Sequence, residues 1–156
     1  MTIGITGHQH IPAPAIALVE ARIRAILSAA GSPRCVSSLA SGADQLFAQL
    51  ALDCAATLHV VIPSRHYEAT FTSELDRERY YALLRQASTT ELLPFQEPSE
   101  EAFLRAGMRV TDLSDQLIAV WDGEAAVGKG GTADVVMYAR QLGKYIVIAW
   151  PAGLKR

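Results

Sequence analysis

Residues Gln116 to Trp150 read QLIAVWDGEAAVGKGGTADVVMYARQLGKYIVIAW. Leu117 to Trp121 is an apolar run of β-branched and aromatic type closing on Asp122-Gly123, the pattern of a buried parallel strand followed by a turn. A loop with Gly128, Gly130 and Gly131 comes next. Thr132 is then expected to cap a helix whose apolar positions Val135, Val136, Ala139 and Leu142 recur at spacings of three and four, and Gly143 stops it. Tyr145 to Trp150 is a second apolar run. The unit is therefore strand, glycine loop, helix, strand, for which a right-handed βαβ crossover is expected.

A glycine loop that opens a helix suits an anion. The first backbone N–H groups of the helix lack partners, and the peptide dipoles sum to partial positive charge there. Glycine lets the backbone approach a phosphate closely, and Lys129 adds a point charge. Phosphate binding and a plain turn of the chain are equally compatible with these residues alone. The loop is not a Walker A motif, because Lys129 precedes Gly130-Gly131-Thr132 and the G-K-[ST] order is absent.

The same alternation extends upstream. Thr2 to Thr6 is strand-like and breaks at Gly7, directly before His8, Gln9 and His10. Pro12 and Pro14 open a helix with Ile16, Val19, Ile23, Ile26 and Leu27 on its apolar face, and Gly31-Ser32-Pro33 stops it. Cys35 to Leu39 is weakly strand-like and leads through Ala40-Ser41-Gly42-Ala43-Asp44 into a helix carrying Leu46, Phe47, Leu50 and Ala51. Leu58 to Ile62 is the third strand, ended by Pro63. Ser64 to Phe71 reads as a loop at a pocket edge, and Ser73 to Gln86 as a charged helix. Thr89 to Leu93 is a fourth strand, and Ser99 caps a helix carrying Phe103, Leu104, Met108 and Val110. The fold class is thus α/β: a Rossmann-like, doubly wound, mainly parallel sheet with helices on both faces, expected as a single domain over residues 1–156. In such folds ligands sit outside the C-terminal strand ends where strand order reverses. The turns at Gly7-His8, Ser41-Gly42 and Asp122 through Gly131 are expected to converge there.

Composition narrows the classes. The chain has 156 residues, with 14 basic against 16 acidic, so charge does not suggest an obligate nucleic-acid partner. Apolar runs are too short for a membrane span, and a cytoplasmic protein with no membrane partner is expected. Cys35 and Cys54 read as reduced thiols with no local partner. No metal site is expected, since His8 and His10 lack a third ligand at suitable spacing.

Several residues carry two readings. His8 and His10 could bind a phosphate or base or move a proton, but the residues alone favour plain satisfaction of a neighbouring carbonyl. Asp44 reads first as a brace of its turn, with a ribose contact as the sharper alternative. Asp122 either accepts from a ribose hydroxyl or positions a water, or merely makes an Asp-Gly turn, with equal weight. Trp121 either stacks on a base or fills core. Arg65, Arg77 and Arg79 reach for phosphates or are simply solvated.

Two motifs resemble a known superfamily. S-S-L-A-S-G-A-D (Ser37 to Asp44) is similar to the S-G-x-A-x-G-x-D signature of the DprA/Smf-type domains. G-K-G-G-T-A-D (Gly128 to Asp134) resembles the P-G-G-x-G-T-x-x-E loop of the LOG proteins, the lysine-decarboxylase-like phosphoribohydrolases. With G-I-T-G-H-Q near the start and S-D-Q-L-I-A-V-W-D-G, these place the chain close to the SLOG superfamily, which includes YpsA-like and molybdenum-cofactor-carrier-like proteins.

The resemblance implies a nucleotide or nucleotide-derived phosphate ligand held by Gly7, His8, Ser38, Gly42, Asp44, Asp122, Gly128, Gly130, Gly131 and Thr132. A homo-oligomer is also implied. An alternative is a phosphoribohydrolase cleaving the N-glycosidic bond of a nucleoside monophosphate, with Asp134 or Asp122 as carboxylate and Arg109 as phosphate clamp. A molybdenum-cofactor carrier is a further alternative. The chain departs from the LOG pattern in carrying Val135 where the family has its catalytic Glu, with Asp134 one residue earlier, and Lys129 in place of a glycine. In the DprA-like turn, Ser38 replaces a glycine.

Overall fold

The chain folds as β1 (Thr2–Gly7), α1 (Ala13–Ala29), β2 (Arg34–Ser37), α2 (Ala43–Asp53), β3 (Thr57–Ile62), α3 (Glu74–Arg85), β4 (Thr89–Leu92), α4 (Glu100–Leu113), β5 (Gln116–Val120), α5 (Thr132–Gln141) and β6 (Tyr145–Ile148). This is a computed structural model, and it describes residues 1–125 and 131–156. The six strands form one sheet in the order β4-β3-β2-β1-β5-β6, and every pairing is parallel.

That order explains the two helical layers. From β1 the chain steps outward through β2 and β3 to β4, then returns to the other side of β1 and steps through β5 to β6. Right-handed crossovers in opposite directions place their helices on opposite faces. Helices α1, α2 and α3 accordingly pack on one face, where Val19, Ile23, Phe47, Leu50, Tyr80 and Leu83 meet Ile3, Ile5, Leu58 and Val60. Helices α4 and α5 cover the other, with Ala106, Val110, Val135 and Ala139 against Val36, Val61 and Leu117. Alternate residues of one strand thus feed both cores, and all five residues of β5 are buried.

Helix ends follow local chemistry. Ser73 and Ser99 each accept a hydrogen bond from the backbone N–H three residues on, Asp76 at 3.3 Å and Ala102 at 3.1 Å. At α5 the expectation is corrected, since Gly131 holds the extended cap position and Thr132 is the first helical residue. Apolar periodicity also overreaches at helix rims: Ile16 and Leu142 are exposed, while Ala15, Ala102 and Ala106 do the packing. Small residues lie where helix and sheet approach closely, which a reading weighted to large side chains misses.

The two sheet edges differ. On β4, Glu91 takes a two-point hydrogen bond from Arg109 of α4, at 2.6 and 3.2 Å. Edge strand β6 carries no charge over Tyr145–Ile148, and none of its residues is buried.

Phe47 is fully buried between α2 and the sheet, whereas Leu142 is 47% exposed. Phe47→Ala should lower unfolding free energy by about 3–5 kcal/mol, and Leu142→Ala by no more than about 0.5 kcal/mol, both read from urea denaturation.

Candidate functional site

The reversal of strand order falls between β1 and β5, where Gly7 pairs with Val120 in register. His8 follows β1, and its backbone joins three elements. Its N–H donates to Val120 O at 3.0 Å, and its carbonyl accepts from Ala43 N–H at 3.1 Å. Gly7 is needed for that convergence, because a Cβ there would lie 2.5 Å from Ala43 Cβ and 2.7 Å from Val120 Cβ. Gly42 combines φ +79° with a site where a side chain would run into the carbonyls of His8 and Gln9. The backbones of two turns therefore touch directly.

A cleft of 740 Å³ opens above these strand ends. Its polar end is formed by Gly7, His8, His10, Ser38, Ser41, Trp121, Gly131, Thr132 and Arg156. Pro63, Tyr67, Thr70 and Phe71 from the β3–α3 connection and Phe103 from α4 add an aromatic part of the lining. Tyr67 is the hub there, edge-on to Phe71, Tyr80 and Phe103 with ring centroids 5.4, 5.5 and 6.2 Å away.

His8 is 4% exposed. Its Nε2 lies 3.0 Å from the Asp122 N–H and 3.2 Å from Asp122 Oδ1. Its Nδ1 lies 3.2 Å from Arg156 Nη1 and 3.5 Å from Thr132 Oγ1. Burial first, and then the Arg156 charge, push the imidazole below its ordinary pKa, against the opposing pull of Asp122. It is therefore neutral near pH 7, and a neutral imidazole has one acceptor nitrogen. The Asp122 N–H and the Arg156 guanidinium compete for it.

The Asp122 side chain is 1% exposed. Burial raises its pKa, but the N–H groups of Glu124 and Arg156 and the neighbouring positive charge outweigh that and hold the carboxyl below its usual range. Oδ1 accepts from Glu124 N–H at 3.0 Å, and Oδ2 stands 3.3 Å from Arg156 Nε. The side chain makes the Asp-Gly turn and, from behind the cleft wall, contacts the cleft residues His8 and Arg156.

Asp44 behaves oppositely. Burial raises it to about 7, although Oδ2 accepts from the N–H groups of Ser38 at 3.2 Å and Ala40 at 3.4 Å. It braces the turn after β2 while lining the cleft. In that turn Leu39 is held at φ +57°, with its carbonyl accepting from Gln45 Nε2 at 3.2 Å.

Gly7, His8, Ser38, Asp44, Gly131 and Thr132 line one cleft, with Gly42 and Asp122 directly behind its wall. Gly128 and Gly130, with Lys129, lie outside the described residues. The three catalytic candidates are not brought together. Arg109 does not line the cleft, its guanidinium being engaged by Glu91 at the far sheet edge. Asp134 does not line it either and lies in the first turn of α5, where a carboxylate favours the helix dipole. Asp122 does not line the cleft either but, unlike the other two, contacts the cleft residues His8 and Arg156.

Arg77 donates to the carbonyls of Glu68 and Phe71 at 3.3 and 3.0 Å and braces the aromatic loop. Arg79 stands 3.6 Å from Asp76. Neither arginine lines the cleft, and Arg65 does not line it either. Arg156 does, and the sequence gives no signal for it, since nothing local ties residue 156 to residues 8 and 122. Among the described residues, no three His, Cys, Asp or Glu side chains cluster as a metal site.

Strand order, twin helical layers and a cleft at the β1/β5 reversal define a Rossmann-like α/β fold. The chain superposes on DNA processing protein A (DprA) from Helicobacter pylori with a TM-score of 0.69 at 16% identity, covering 95% of this chain and 64% of that one. DprA from Streptococcus pneumoniae gives 0.67 at 18% identity, over 94% of this chain and 49% of that one. The molybdenum cofactor binding protein from Rippkaea orientalis gives 0.60 at 13%, over 94% and 74%. The chain thus spans from about half to under two thirds of the length of the DprA chains. No protein-family model and no curated protein matches the sequence.

One expectation is overturned here. Near-neutral charge spoke against an obligate nucleic-acid partner, yet the H. pylori protein of this fold has a single-stranded DNA binding mode. Net charge sums over a whole surface and is blind to a local strand-binding face. The exclusion of nucleic acid is withdrawn. Among the described residues, no helix is long and apolar enough to cross a membrane.

Two outcomes follow. Because the folded pKa of Asp44 is raised, its neutral form stabilises the fold below about pH 4, and that contribution is lost as pH rises toward 7. The stability of wild type minus that of Asp44→Asn should therefore fall by on the order of a few kcal/mol across this range in denaturation at fixed pH. Gly42→Ala should cost about 3 kcal/mol or more, against roughly 1 kcal/mol for Gly31→Ala, where φ is +78° but nothing lies within 4 Å.

Proposed function

We propose that the cleft binds a nucleotide or nucleotide-derived phosphate ligand. The observation that carries this is the pairing of two chemistries in one cleft at the strand-order reversal. The N-terminus of α5, with Gly131 and Thr132, and the His8/Arg156 pair line it together with the Tyr67, Phe71 and Phe103 rings. Orphan N–H groups and the helix dipole favour a phosphate, and a flat heterocycle gains from aromatic contact. A phosphorylated pterin presents the same two groups, so a ligand of the kind named for the Rippkaea protein meets the same requirements. N-glycosidic cleavage is less well supported. None of its candidate residues lines the cleft, and Asp122, directly behind the wall, is already held by Glu124 and Arg156.

The test is thermal denaturation with AMP, adenosine, ribose 5-phosphate and a single-stranded oligonucleotide. AMP at a hundredfold excess over Kd should add about 2.7 kcal/mol to stability. Gly131→Asp sharpens the result. Gly131 has extended backbone at φ −69°, where Asp is a favourable helix cap, but the carboxylate would stand where the phosphate belongs. The variant should be at least as stable as wild type and lose the AMP response. Stabilisation of wild type by none of these compounds would remove the reading, and stabilisation by the oligonucleotide alone would replace the mononucleotide with a nucleic-acid strand.

A further inference from the structure

Beyond β6 the chain turns back across the cleft end. Trp150 Nε1 donates to Leu154 O at 2.6 Å, Leu154 N–H to Pro151 O at 3.4 Å, and Gly153 takes φ +77°. The turn over residues 151–156 thereby delivers Arg156 between His8 and Asp122. Trp150 is also edge-on to the His8 ring, with centroids 5.3 Å apart.

We infer that Arg156 is the side chain that grips the anionic group of the ligand, with Asp122 setting its orientation. This rests on the phosphate-ligand reading above. The other ionisable side chains described around the cleft are Asp44, Glu100, Glu124, Tyr67 and the two histidines, so among the described residues Arg156 is the one Lys or Arg lining it. An anion entering beside those carboxylates needs a cation there. The guanidinium is already aimed. Asp122 Oδ2 holds its Nε edge at 3.3 Å and accepts from its backbone N–H at 3.4 Å, while Nη1 points at His8 Nδ1. Nη2 has no protein partner among the described residues, and the side chain remains 37% exposed. A guanidinium fixed along one edge and open along the other suits a phosphate oxygen. The α5 N-terminus faces the same cleft through Gly131 and Thr132, so the anion meets backbone N–H groups on one side and Arg156 on the other.

The test compares AMP with adenosine by isothermal titration calorimetry on wild type, Arg156→Gln and Arg156→Lys, with far-ultraviolet circular dichroism to confirm folding. Arg156→Gln should weaken AMP by about tenfold or more and leave adenosine unchanged, with Arg156→Lys between the two. AMP binding that survives Arg156→Gln intact, or an equal loss for AMP and adenosine, overturns the assignment while leaving the ligand reading in place. Failure of wild type to bind either compound overturns both.

Discussion

Two backbone hydrogen bonds at His8 hold the functional end of the molecule together. One joins the end of β1 to β5, the other joins it to the start of α2, and each uses a group that the strand ladder no longer employs. A backbone polar group left unpaired at a buried strand end costs free energy, so these bonds fix the relative positions of three turns rather than decorate them. Gly7 and Gly42 allow the approach, since either would otherwise put a Cβ into a neighbouring backbone or side chain. The imidazole is then directed by its own backbone and not by a flexible loop.

The two buried carboxylates show how differently one residue type serves that arrangement. Asp44 is taken out of water among backbone N–H groups with no cation at hand, and burial wins. Asp122 is as well buried by its side-chain area but has a guanidinium and two N–H groups around it, and the charged form wins. The first holds its turn as a brace. The second holds charge, which is what lets it orient Arg156.

Much of this architecture is written locally. Parallel strands buried on both faces read as apolar runs, and Ser73 and Ser99 announce their helices by the capping geometry they then adopt. Strand ends in an α/β alternation define one side of a sheet, which is why Gly7-His8 and Ser41 come to one cleft with Trp121 and Gly131. The partners of long side chains were not legible. Arg77 spends its guanidinium on the loop before its own helix, Arg109 clasps the β4 edge, and Tyr67, Phe71, Tyr80 and Phe103 meet only through packing of α3, α4 and the connection between β3 and α3. Charge and aromaticity along a sequence give candidates. Which candidate faces the cleft depends on tertiary contacts with no fixed spacing.

The single lone pair of the neutral His8 ring makes the imidazole a joint with two settings. With the proton on Nδ1 the ring accepts the Asp122 N–H and is fastened to the end of β5. With the proton on Nε2 it donates toward Asp122 Oδ1 at 3.2 Å and accepts from Arg156, so it is fastened both to the end of β5 and to the chain that follows β6. Relocating one proton across the ring, with no change in total charge, makes or releases the tie to the turn after β6, while the tie to Asp122 only changes between accepting and donating. The rim of the cleft is thereby attached to its floor through a bond that can be made or released without moving a heavy atom far.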